Sequence, residues 1–485
     1  MTKCVDNKKF YITTPIYYVN DRPHIGHAYT TCAADVLARW HKAKGEKTFF
    51  LTGTDEHGIK VQQAADKSGK NVQDFVDENA QTFKDAWQKL NVQYDNFLRT
   101  TDEKHIKAVQ AAVQALYDKG FIYKGQYEGL YCVSCEQYKF EDDLIDGKCR
   151  EHNEKPVLMK EESYFFKLSQ FEKILEEKIS SDELKIEPPE RKNEVLTFLK
   201  SGLKDISISR KNVKWGISLP FESSQTIYVW IDAFLNYLTG LGWDGENKIP
   251  PTPPLKRGEG WGDFWPPDVQ LMSKDILRVH ATIWTALLLA LELPLPKEIY
   301  VHGYFTIGSQ KMSKSMGNVI WPEDLVQKFG GDGARYLIMS SLAWGQDGDV
   351  TRERFTEKYN ADLANGLGNL ISRVAKLSQN AKIKNQNDSA KLKNDKIQKL
   401  FGELKFKEIL DEIWGQIAWA NKYIEEKKLW ELVKSDPEEG KKVLGELLGL
   451  ISEIGEELAP FMPATSEKIK EILASGKIEL LFPRF

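Results

Sequence analysis

Two histidines lie three residues apart in the segment His24-Ile25-Gly26-His27, directly after Pro23 and before a run of apolar residues at helical spacing. Where a strand leads into a helix, unpaired backbone N–H groups and the positive end of the helix dipole favour a bound anion. Imidazoles can donate to phosphate oxygens, and a glycine lets a ligand approach the backbone closely. The segment therefore predicts a phosphate site, against the plainer alternative of two histidines that cap a helix.

Two lysines, also three residues apart, occur in Lys311-Met312-Ser313-Lys314-Ser315, which is followed by Gly317-Asn318. Ammonium groups in a Ser/Gly-rich loop can bracket a polyphosphate and move with it, although such a stretch is more often a solvated loop. An apolar run, 298–307, comes before the lysines and is predicted to be the last strand of a parallel sheet. That strand would place the lysines at the carboxyl edge of the sheet with the histidines, where open α/β sheets bind ligands.

Three of the five cysteines fall in one segment, Cys132-Val133-Ser134-Cys135, which is followed after thirteen residues by Cys149-Arg150-Glu151-His152. Paired knuckles of this kind can close a tetrahedral zinc site with thiolate and imidazole ligands. Four protein ligands leave no open position, so the segment predicts a structural zinc, with a metal-free turn as the alternative. Cys4 and Cys32 are expected to be unrelated to metal.

The elements that must position these groups are predicted from hydrophobic periodicity. Strands at 10–14 and 48–52 enclose a helical pattern at 28–40, which indicates the opening of a parallel α/β sheet. Apolar strand and helix patterns return at 226–238 and 269–301, and we expect them to form the second half of the same sheet after an insertion. From about residue 362 the pattern is helical, with Leu363, Leu367, Leu370 and Ile371 on a first helix and Ile413, Ile417, Ala420 and Ile424 on a second. The predicted class is α/β, a Rossmann-like sheet split by an insertion and followed by a helical bundle.

The composition is that of an ordinary globular protein. The chain has 485 residues, 41% of them hydrophobic and 28% charged, and its length favours two or more domains. A formal net charge of −4 neither indicates nor excludes a nucleic-acid partner, because local basic patches decide such binding. The first residues lack the apolar core of a signal peptide, and we find no run of 18 apolar residues, so we expect a cytoplasmic protein without a membrane partner.

Together, the His24–His27 and Lys311–Ser315 segments resemble the signature pair of class I aminoacyl-tRNA synthetases, in which the two motifs bind ATP and stabilise adenylate formation. The segments 13–20, 52–58, 229–233, 274–276 and 301–304 resemble the methionyl branch of that family, and the similarity runs from about residue 9 to the end. The resemblance implies an enzyme that activates L-methionine with ATP and Mg²⁺ and transfers it to tRNA(Met). It implies one structural Zn²⁺, and since no further domain is visible after the last helix, we expect a monomer.

The resemblance also implies the site residues. Catalytic roles fall to His24, His27, Lys311 and Lys314, and ATP binding to His24, Gly26, His27, His302, Gly303 and Lys314. The methionine pocket comprises Pro15, Ile16, Tyr18, Asp55, Trp230, Ala233, Tyr237, Ile276 and His280. The zinc ligands are Cys132, Cys135, Cys149 and His152, and the anticodon contacts are Asn369, Arg373 and Trp430.

The implied pocket is chemically coherent. Asp55 could pair with the substrate ammonium, aromatic rings could contact the polarizable thioether, and Tyr18 and His280 could donate hydrogen bonds toward the sulfur. By spacing alone, however, Tyr18, Trp230 and Tyr237 read as core aromatics. Phe234 and Val279 occupy positions that vary in the family, so the shape of the pocket is not fixed by the resemblance.

The implied domains are a first catalytic half (1–117), a connective-peptide insertion with the zinc knuckle (118–225), a second catalytic half with the lysine loop (226–325), a stem-contact linker (326–360) and a helical anticodon-binding domain (361–485). Small nucleotidyltransferases also carry a His-x-Gly-His site but are typically shorter and lack the helical half. A non-catalytic descendant would be free to lose the signatures, which are intact. For a leucyl, isoleucyl or valyl enzyme the insertion leaves little room for an editing domain, and the ligands near the pocket that are usual in cysteinyl enzymes are missing.

Overall fold

The computed structural model describes residues 8–134, 137–139, 143–245, 261–308, 310–312, 319–380, 394–476 and 479–485. The chain divides into two compact units. The sheet unit comprises Met1–Arg22, Gly45–Asp85 and Tyr94–Val301, and the helical unit comprises Pro23–Lys44, Ala86–Gln93 and His302–Phe485. A parallel sheet and a helical carboxyl-terminal region are both present, which confirms the predicted α/β class.

The strands of the described residues, in chain order, are β1 (Lys9–Thr13), β2 (Tyr17–Tyr18), β3 (Lys47–Asp55), β4 (Asn96–Arg99), β5 (Ile122–Cys132), β6 (Gln137–Lys139), β7 (Leu144–Ile145), β8 (Lys148–Cys149), β9 (Val157–Phe166), β10 (Lys185–Glu187), β11 (Ile206–Ser207), β12 (Ser209–Arg210), β13 (Thr226–Ile227), β14 (Val269–Ser273), β15 (Glu298–His302), β16 (Phe305–Ile307), β17 (Gln310–Lys311) and β18 (Gly348–Asp349).

The α-helices are α1 (Ile25–Ala43), α2 (Ile59–Ser68), α3 (Val72–Lys89), α4 (Glu103–Asp118), α5 (Glu172–Ser180), α6 (Pro189–Lys200), α7 (Val229–Phe234), α8 (Asn236–Thr239), α9 (Leu277–Val279), α10 (Thr285–Ala290), α11 (Pro322–Ser340), α12 (Arg352–Lys358), α13 (Asn369–Asn380), α14 (Asp395–Gly402), α15 (Phe406–Glu426), α16 (Leu429–Ser435), α17 (Pro437–Leu458) and α18 (Pro463–Ser475). Short 3₁₀-helices span Leu168–Phe171 and Trp261–Phe264, and π-helices span His280–Trp284 and Tyr359–Gly368. In the part of the chain that the structure describes, no helix is both long and apolar enough to cross a membrane.

The main sheet of the sheet unit has the order β10-β15-β14-β1-β3-β2, with β4 also paired to β3. Strand β1 runs parallel to β14 and β3, and β3 runs parallel to β2 and β4. The centre of the sheet is apolar on both faces, as parallel sheets covered by helices require, so the predicted strands at 10–14 and 48–52 are confirmed. Gly53 allows the β3–β4 pairing, because a Cβ at this position would lie 2.1 Å from the carbonyl oxygen of Leu98.

Two predicted parts of this sheet are wrong. The run 226–238 was expected to belong to it, but β13 instead pairs with β12 in a separate two-stranded sheet and the rest forms α7 and α8. A short helix that is buried nearly all round has no polar face, so its periodicity does not distinguish it from a strand. The run 298–307 is also not one strand, because it breaks after β15 at Gly303, and β16 joins a three-stranded sheet with β17 and β18.

The segment 118–225 contains a second, antiparallel sheet with the order β11-β9-β5-β6. It also contributes β10, which runs parallel to β15 with Lys185 opposite Glu298, and so supplies the edge strand of the main sheet.

In the helical unit, α1 is fixed by a buried ion pair. The carboxylate of Asp35 on α1 lies 2.7 Å from the guanidinium of Arg335 on α11, and both side chains are fully buried. Arg335 also donates to the carbonyl oxygens of Leu90, Pro460 and Phe461, so the buried charge is well satisfied. The apolar residues predicted to line two helices of the bundle are all buried, on 359–371 and on α15, which confirms that pattern.

Candidate functional site

The predicted histidine pair caps the helix that it begins. The Nδ1 atom of His24 accepts a hydrogen bond from the N–H of Gly26 at 3.0 Å, and the Nδ1 atom of His27 accepts one from the N–H of His24 at 3.2 Å. The two rings stack with centroids 3.8 Å apart. A nitrogen that accepts carries no proton, so each ring carries its proton on Nε2. Helix capping and anion binding, set out above as alternatives, are thus compatible, because they use different nitrogens.

Gly26 makes room for the ring of His24. A Cβ on residue 26 would lie 2.8 Å from Cε1 and 3.0 Å from Nδ1 of that ring. The sequence suggested that glycine is needed at residue 26 to admit a ligand. The structure gives a second reason for glycine there, since a side chain would need the space that the ring of His24 occupies.

His302 connects the start of the lysine segment to α1. Its Nδ1–H donates to the carbonyl oxygen of Gly303 at 2.8 Å, and its Nε2 lies 2.7 Å from the hydroxyl of Thr30, nearly one turn beyond His27. Gly303 packs so closely on the backbone of Gln346 that a Cβ would lie 2.2 Å from its carbonyl oxygen. His302 and Gly303, both predicted to bind ATP, are therefore held in place: His302 by its contact with Thr30 on α1 and Gly303 by its packing on Gln346.

The lysine segment is also attached to α1 on its other side. Strand β16 follows His302 closely and pairs with β17, placing Thr306 opposite Lys311. After the segment, the carbonyl oxygen of Ile320 accepts from the N–H of Ile25 at 3.0 Å. Lys311 is thus placed by its strand, whereas Lys314 lies outside the described residues.

The residues predicted to bind methionine occupy three places in the sheet unit. Pro15 and Ile16 connect β1 to β2, and Tyr18 on β2 is the register partner of Asp55 at the end of β3. Trp230 and Ala233 lie on α7 and Tyr237 on α8, while Ile276 and His280 flank α9. The rings of Trp230, Phe234 and Tyr237 surround the imidazole of His280, with centroids 4.9–6.3 Å from it. The structure therefore brings Tyr18 to Asp55, and Trp230, Tyr237 and Ile276 to His280.

The imidazole of His280 is held by two hydrogen bonds within the protein. Its Nδ1–H donates to the carbonyl oxygen of Ile276 at 2.8 Å, and its Nε2 accepts from the hydroxyl of Tyr237 at 2.8 Å. Burial lowers the pKa of His280 to about 4, so the ring is neutral at pH 7. Both ring nitrogens are thus used within the protein in this arrangement, and donation from His280 toward the substrate sulfur stays a prediction. The indole N–H of Trp230, by contrast, is buried and has no hydrogen-bond partner within the described ranges.

Two histidines that the sequence analysis did not single out bind a buried carboxylate between the pocket residues of α7. Asp232 accepts from Nδ1 of His57 at 2.7 Å and from Nε2 of His105 at 2.8 Å. His57 and Asp232 both stand within motifs that were recognised, so the signal was available for them. His105 has no local signature.

The predicted metal ligands that are described lie together. Ligand atoms of Cys132, Cys149 and His152 lie within 4.8 Å of one another, with Sγ of Cys149 4.0 Å from Nδ1 of His152. Tetrahedral zinc bonded at about 2.3 Å to sulfur and about 2.0 Å to nitrogen sets its ligand atoms about 3.5–3.8 Å apart, so this cluster fits with small shifts. Cys149 is positioned by the β7–β8 hairpin, whose Asp146-Gly147 turn has positive φ at both residues. Cys135 lies outside the described residues.

Two of the three predicted anticodon contacts meet on the helical unit. The guanidinium of Arg373 on α13 lies 5.9 Å from the ring centroid of Trp430 on α16 and pairs with Glu425 at 2.8 Å. Trp430 is 38% exposed, enough for its face to accept a stacked base. Asn369 is exposed four residues before Arg373, on the same face of α13.

Known proteins resemble the chain over nearly its whole length. The family model described as tRNA synthetases class I (M) matches residues 10–153 and 139–375. The methionine–tRNA ligase of Clostridium acetobutylicum is 43% identical over 96% of this chain and 73% of its own length, and that of Streptomyces coelicolor is 40% identical over 96% and 90%. A solved structure of Mycobacterium tuberculosis methionyl-tRNA synthetase in complex with methionyl-adenylate matches with a TM-score of 0.88 and 33% identity, covering 96% of this chain and 94% of that one.

Replacing Gly26 with Ala should displace the ring of His24 while α1 stays helical, because alanine favours a helix but its Cβ needs the space that the ring occupies. A crystal structure of the variant should show the His24–His27 stack lost, with ring centroids more than about 5 Å apart. The matched control is Gly415→Ala on α15, where a Cβ meets nothing within 4 Å. An unchanged stack in Gly26→Ala would contradict the assigned role of the glycine.

Because the folded chain holds His280 unprotonated, the free energy of unfolding should fall as the pH is lowered. The pKa of His280 is about 4 in the folded chain and 6.5 in its ordinary state, so below pH 6.5 the unfolded chain takes up a proton that the folded chain excludes. The free energy of unfolding should therefore drop between pH 6.5 and 4, by about 3 kcal/mol from this group. Urea unfolding of the wild type and of His280→Gln across this range measures the difference, and equal pH slopes for the two proteins would refute it.

Proposed function

The chain belongs to the methionyl class I tRNA synthetases, and on that premise we propose that it is a methionine–tRNA ligase that forms methionyl-adenylate from L-methionine and ATP and transfers the methionyl group to the 3′ end of tRNA(Met). The observation that best supports the phosphate chemistry is the attachment of both flanks of the 311–320 segment to the first two turns of α1. This attachment runs through Thr30, His302 and β16 at one end and through Ile320 at the other.

In the first step, an oxygen of the methionine carboxylate attacks the α-phosphorus of ATP, the bond to the bridging oxygen breaks, and pyrophosphate leaves with the electron pair. We assign no general base, because the carboxylate is already ionised at neutral pH. The Nε2–H groups of His24 and His27 and the ammonium groups of Lys311 and Lys314 would stabilise the negative charge that grows on the phosphate oxygens. Mg²⁺ would accompany ATP and neutralise part of this charge.

His302, Gly303 and Gly26 would contribute to ATP binding indirectly. Both ring nitrogens of His302 are used by Thr30 and Gly303, so its ring face or its backbone would meet the nucleotide. Gly26 keeps the His24 donor in place, and the packing of Gly303 on Gln346 fixes the strand that leads to Lys311.

Different residues of the methionine pocket would bind the two ends of the substrate. Asp55 would pair with the ammonium group, and the rings of Trp230, Tyr237 and His280 would contact the thioether at about 0.3–1.5 kcal/mol per contact. Tyr18 or the buried indole N–H of Trp230 would donate to a substrate atom, since a buried donor without a partner costs about 1–3 kcal/mol. Pro15, Ile16, Ala233 and Ile276 would complete the wall.

In the second step, the terminal ribose 2′-OH of tRNA, the hydroxyl that class I enzymes typically use, would attack the adenylate carbonyl and release AMP. Asn369 and Arg373 would recognise anticodon base edges, and Trp430 would stack on an unpaired base. Arg373 would exchange its ion pair with Glu425 for the RNA.

A structural Zn²⁺ would be held by Cys132, Cys149 and His152, with Cys135 as the fourth ligand that the sequence supplies. Four protein ligands would leave zinc no position for substrate, so the ion would stabilise the fold of the 118–225 insertion and take no part in the reaction. The proposed domain boundaries remain 1–117, 118–225, 226–325, 326–360 and 361–485.

Pyrophosphate exchange into ATP, measured with each of the twenty amino acids, tests the activity directly. We expect exchange with methionine alone, and we expect Lys314→Ala to lower its rate by about 10²–10³ with an unchanged KM for methionine, because the lysine acts on the transition state. Lys399→Ala, at an exposed position on α14, is the control and should exchange at the wild-type rate. Exchange with another amino acid would refute the proposed substrate, and a normal rate in Lys314→Ala would remove that lysine from the mechanism.

A further inference from the structure

Asp232 lies in the middle of α7, between the proposed pocket residues Trp230 and Ala233, and its side chain is 1% exposed. Each of its carboxylate oxygens contacts a different imidazole, Oδ2 that of His57 at 2.7 Å and Oδ1 that of His105 at 2.8 Å. The proposed chemistry uses none of these three groups.

The protons of this cluster can be placed. Burial, the largest influence, raises the pKa of Asp232, but the imidazoles of His57 and His105 together bring that pKa below its ordinary value, so the carboxylate is ionised and only accepts. His57 therefore donates through Nδ1–H and His105 through Nε2–H. The remaining nitrogen of His105, Nδ1, lies 2.7 Å from the hydroxyl of Thr239. The result is a hydrogen-bonded series, Thr239–His105–Asp232–His57, in which both imidazoles donate to the carboxylate.

The four residues of this series stand beside the two ends of the proposed pocket. His57 follows Asp55, the carboxylate proposed for the substrate ammonium, by two residues. Asp232 and Thr239 adjoin Trp230 and Tyr237, which are proposed for the thioether. The Asp232 carboxylate therefore connects the segment that would hold the amino group to the helices that would hold the end of the side chain.

We infer that Asp232, with His57 and His105, is a specificity-determining clamp that fixes the separation between Asp55 and the aromatic wall of α7 and α8, so that the site selects amino acids of methionine's length. This inference rests on the proposed function. Two charge-assisted hydrogen bonds in a buried setting hold a position more strictly than apolar packing does. A shift of about 1 Å in a substrate-positioning group can cost about 10²-fold in rate, and one methylene in an apolar pocket is worth about 10–200-fold in selection.

The decisive variant is Asp232→Asn. Its amide oxygen can still accept from one imidazole, but its amide N–H faces the N–H of the other imidazole, so one of the two hydrogen bonds is lost. In pyrophosphate exchange we expect its ratio of kcat/KM for methionine over ethionine, which is one methylene longer, to fall by about tenfold or more. The ratio for methionine over norleucine, which has the same length, should change by less than about twofold, and the KM for ATP should stay the same. A merely structural role would lower kcat/KM for all three amino acids alike.

A second pair of variants keeps the test independent of how well Asp232→Asn folds. The amide nitrogen of His57→Asn stands where Nδ1 stood and can still donate, whereas His57→Leu cannot, so only the leucine variant should lose selection by length. His105→Gln, whose amide nitrogen replaces Nε2, should likewise retain it. The control is Asp205→Asn. The Asp205 carboxylate also accepts hydrogen bonds from two separate parts of the chain, Tyr123 and Ser169, but it lies in the 118–225 insertion, so this variant should keep the wild-type ratio for methionine over ethionine.

Loss of the methionine-to-ethionine ratio in Asp232→Asn and His57→Leu, with His57→Asn unaffected, supports the clamp. Equal losses for methionine, norleucine and ethionine, or equal behaviour of His57→Asn and His57→Leu, overturn it. Failure of the wild type to respond to methionine would instead overturn the proposed function, so the two failures are distinguishable.

Discussion

Each imidazole of the His24–His27 turn uses its Nδ1 atom on the backbone of α1, and this bond decides what the other nitrogen can do. With Nδ1 occupied as an acceptor, each ring carries its proton on Nε2, and it is this N–H that each ring would direct at the phosphates in the proposed mechanism. The arrangement requires glycine at residue 26, because a Cβ there would meet the ring of His24. The phosphate chemistry proposed for this chain thus begins with the capping of one helix.

Other histidines of the chain also use their ring nitrogens in hydrogen bonds within the protein. His280 and His302 each donate through Nδ1–H to a backbone carbonyl, and the Nε2 atom of each lies within hydrogen-bond distance of a hydroxyl, so both ring nitrogens of each residue are used. The two roles differ: His280 is a neutral part of an aromatic wall suited to an apolar thioether, whereas His302 ties the start of the lysine segment to α1. Where a charge is buried, as at Asp232, donors meet both of its oxygens. Within each unit, buried histidines such as His280 and His302 are therefore held by hydrogen bonds to both ring nitrogens.

How much of this the sequence predicted depends on how local each signal is. Helix α1 and the bundle helices were predicted because their periodic patterns are long, and the strands at 10–14 and 48–52 because short β-rich runs border the α1 pattern. The runs at 226–238 and 298–307 were misassigned, because the pairing of β13 with β12 and the close packing of Gly303 on Gln346 are contacts between distant residues that leave no local pattern. The capping by His24, the tautomer of His280 and the part played by His105 depend on bonds in three dimensions, and His105 lies 127 residues from its partner Asp232. Resemblance could name site residues, but it could not say which nitrogen of a histidine carries the proton.

The most direct test of the account is the protonation of the two capping imidazoles. ¹⁵N-resolved NMR of the imidazole rings, with His24→Gln and His27→Gln used for assignment, distinguishes a protonated from an unprotonated ring nitrogen above neutral pH. We predict that in both rings Nδ1 is unprotonated and Nε2 carries the proton, and that pyrophosphate shifts the Nε2 signals of both. A proton on Nδ1 of either ring, or Nε2 signals that do not respond to saturating pyrophosphate, would contradict the account.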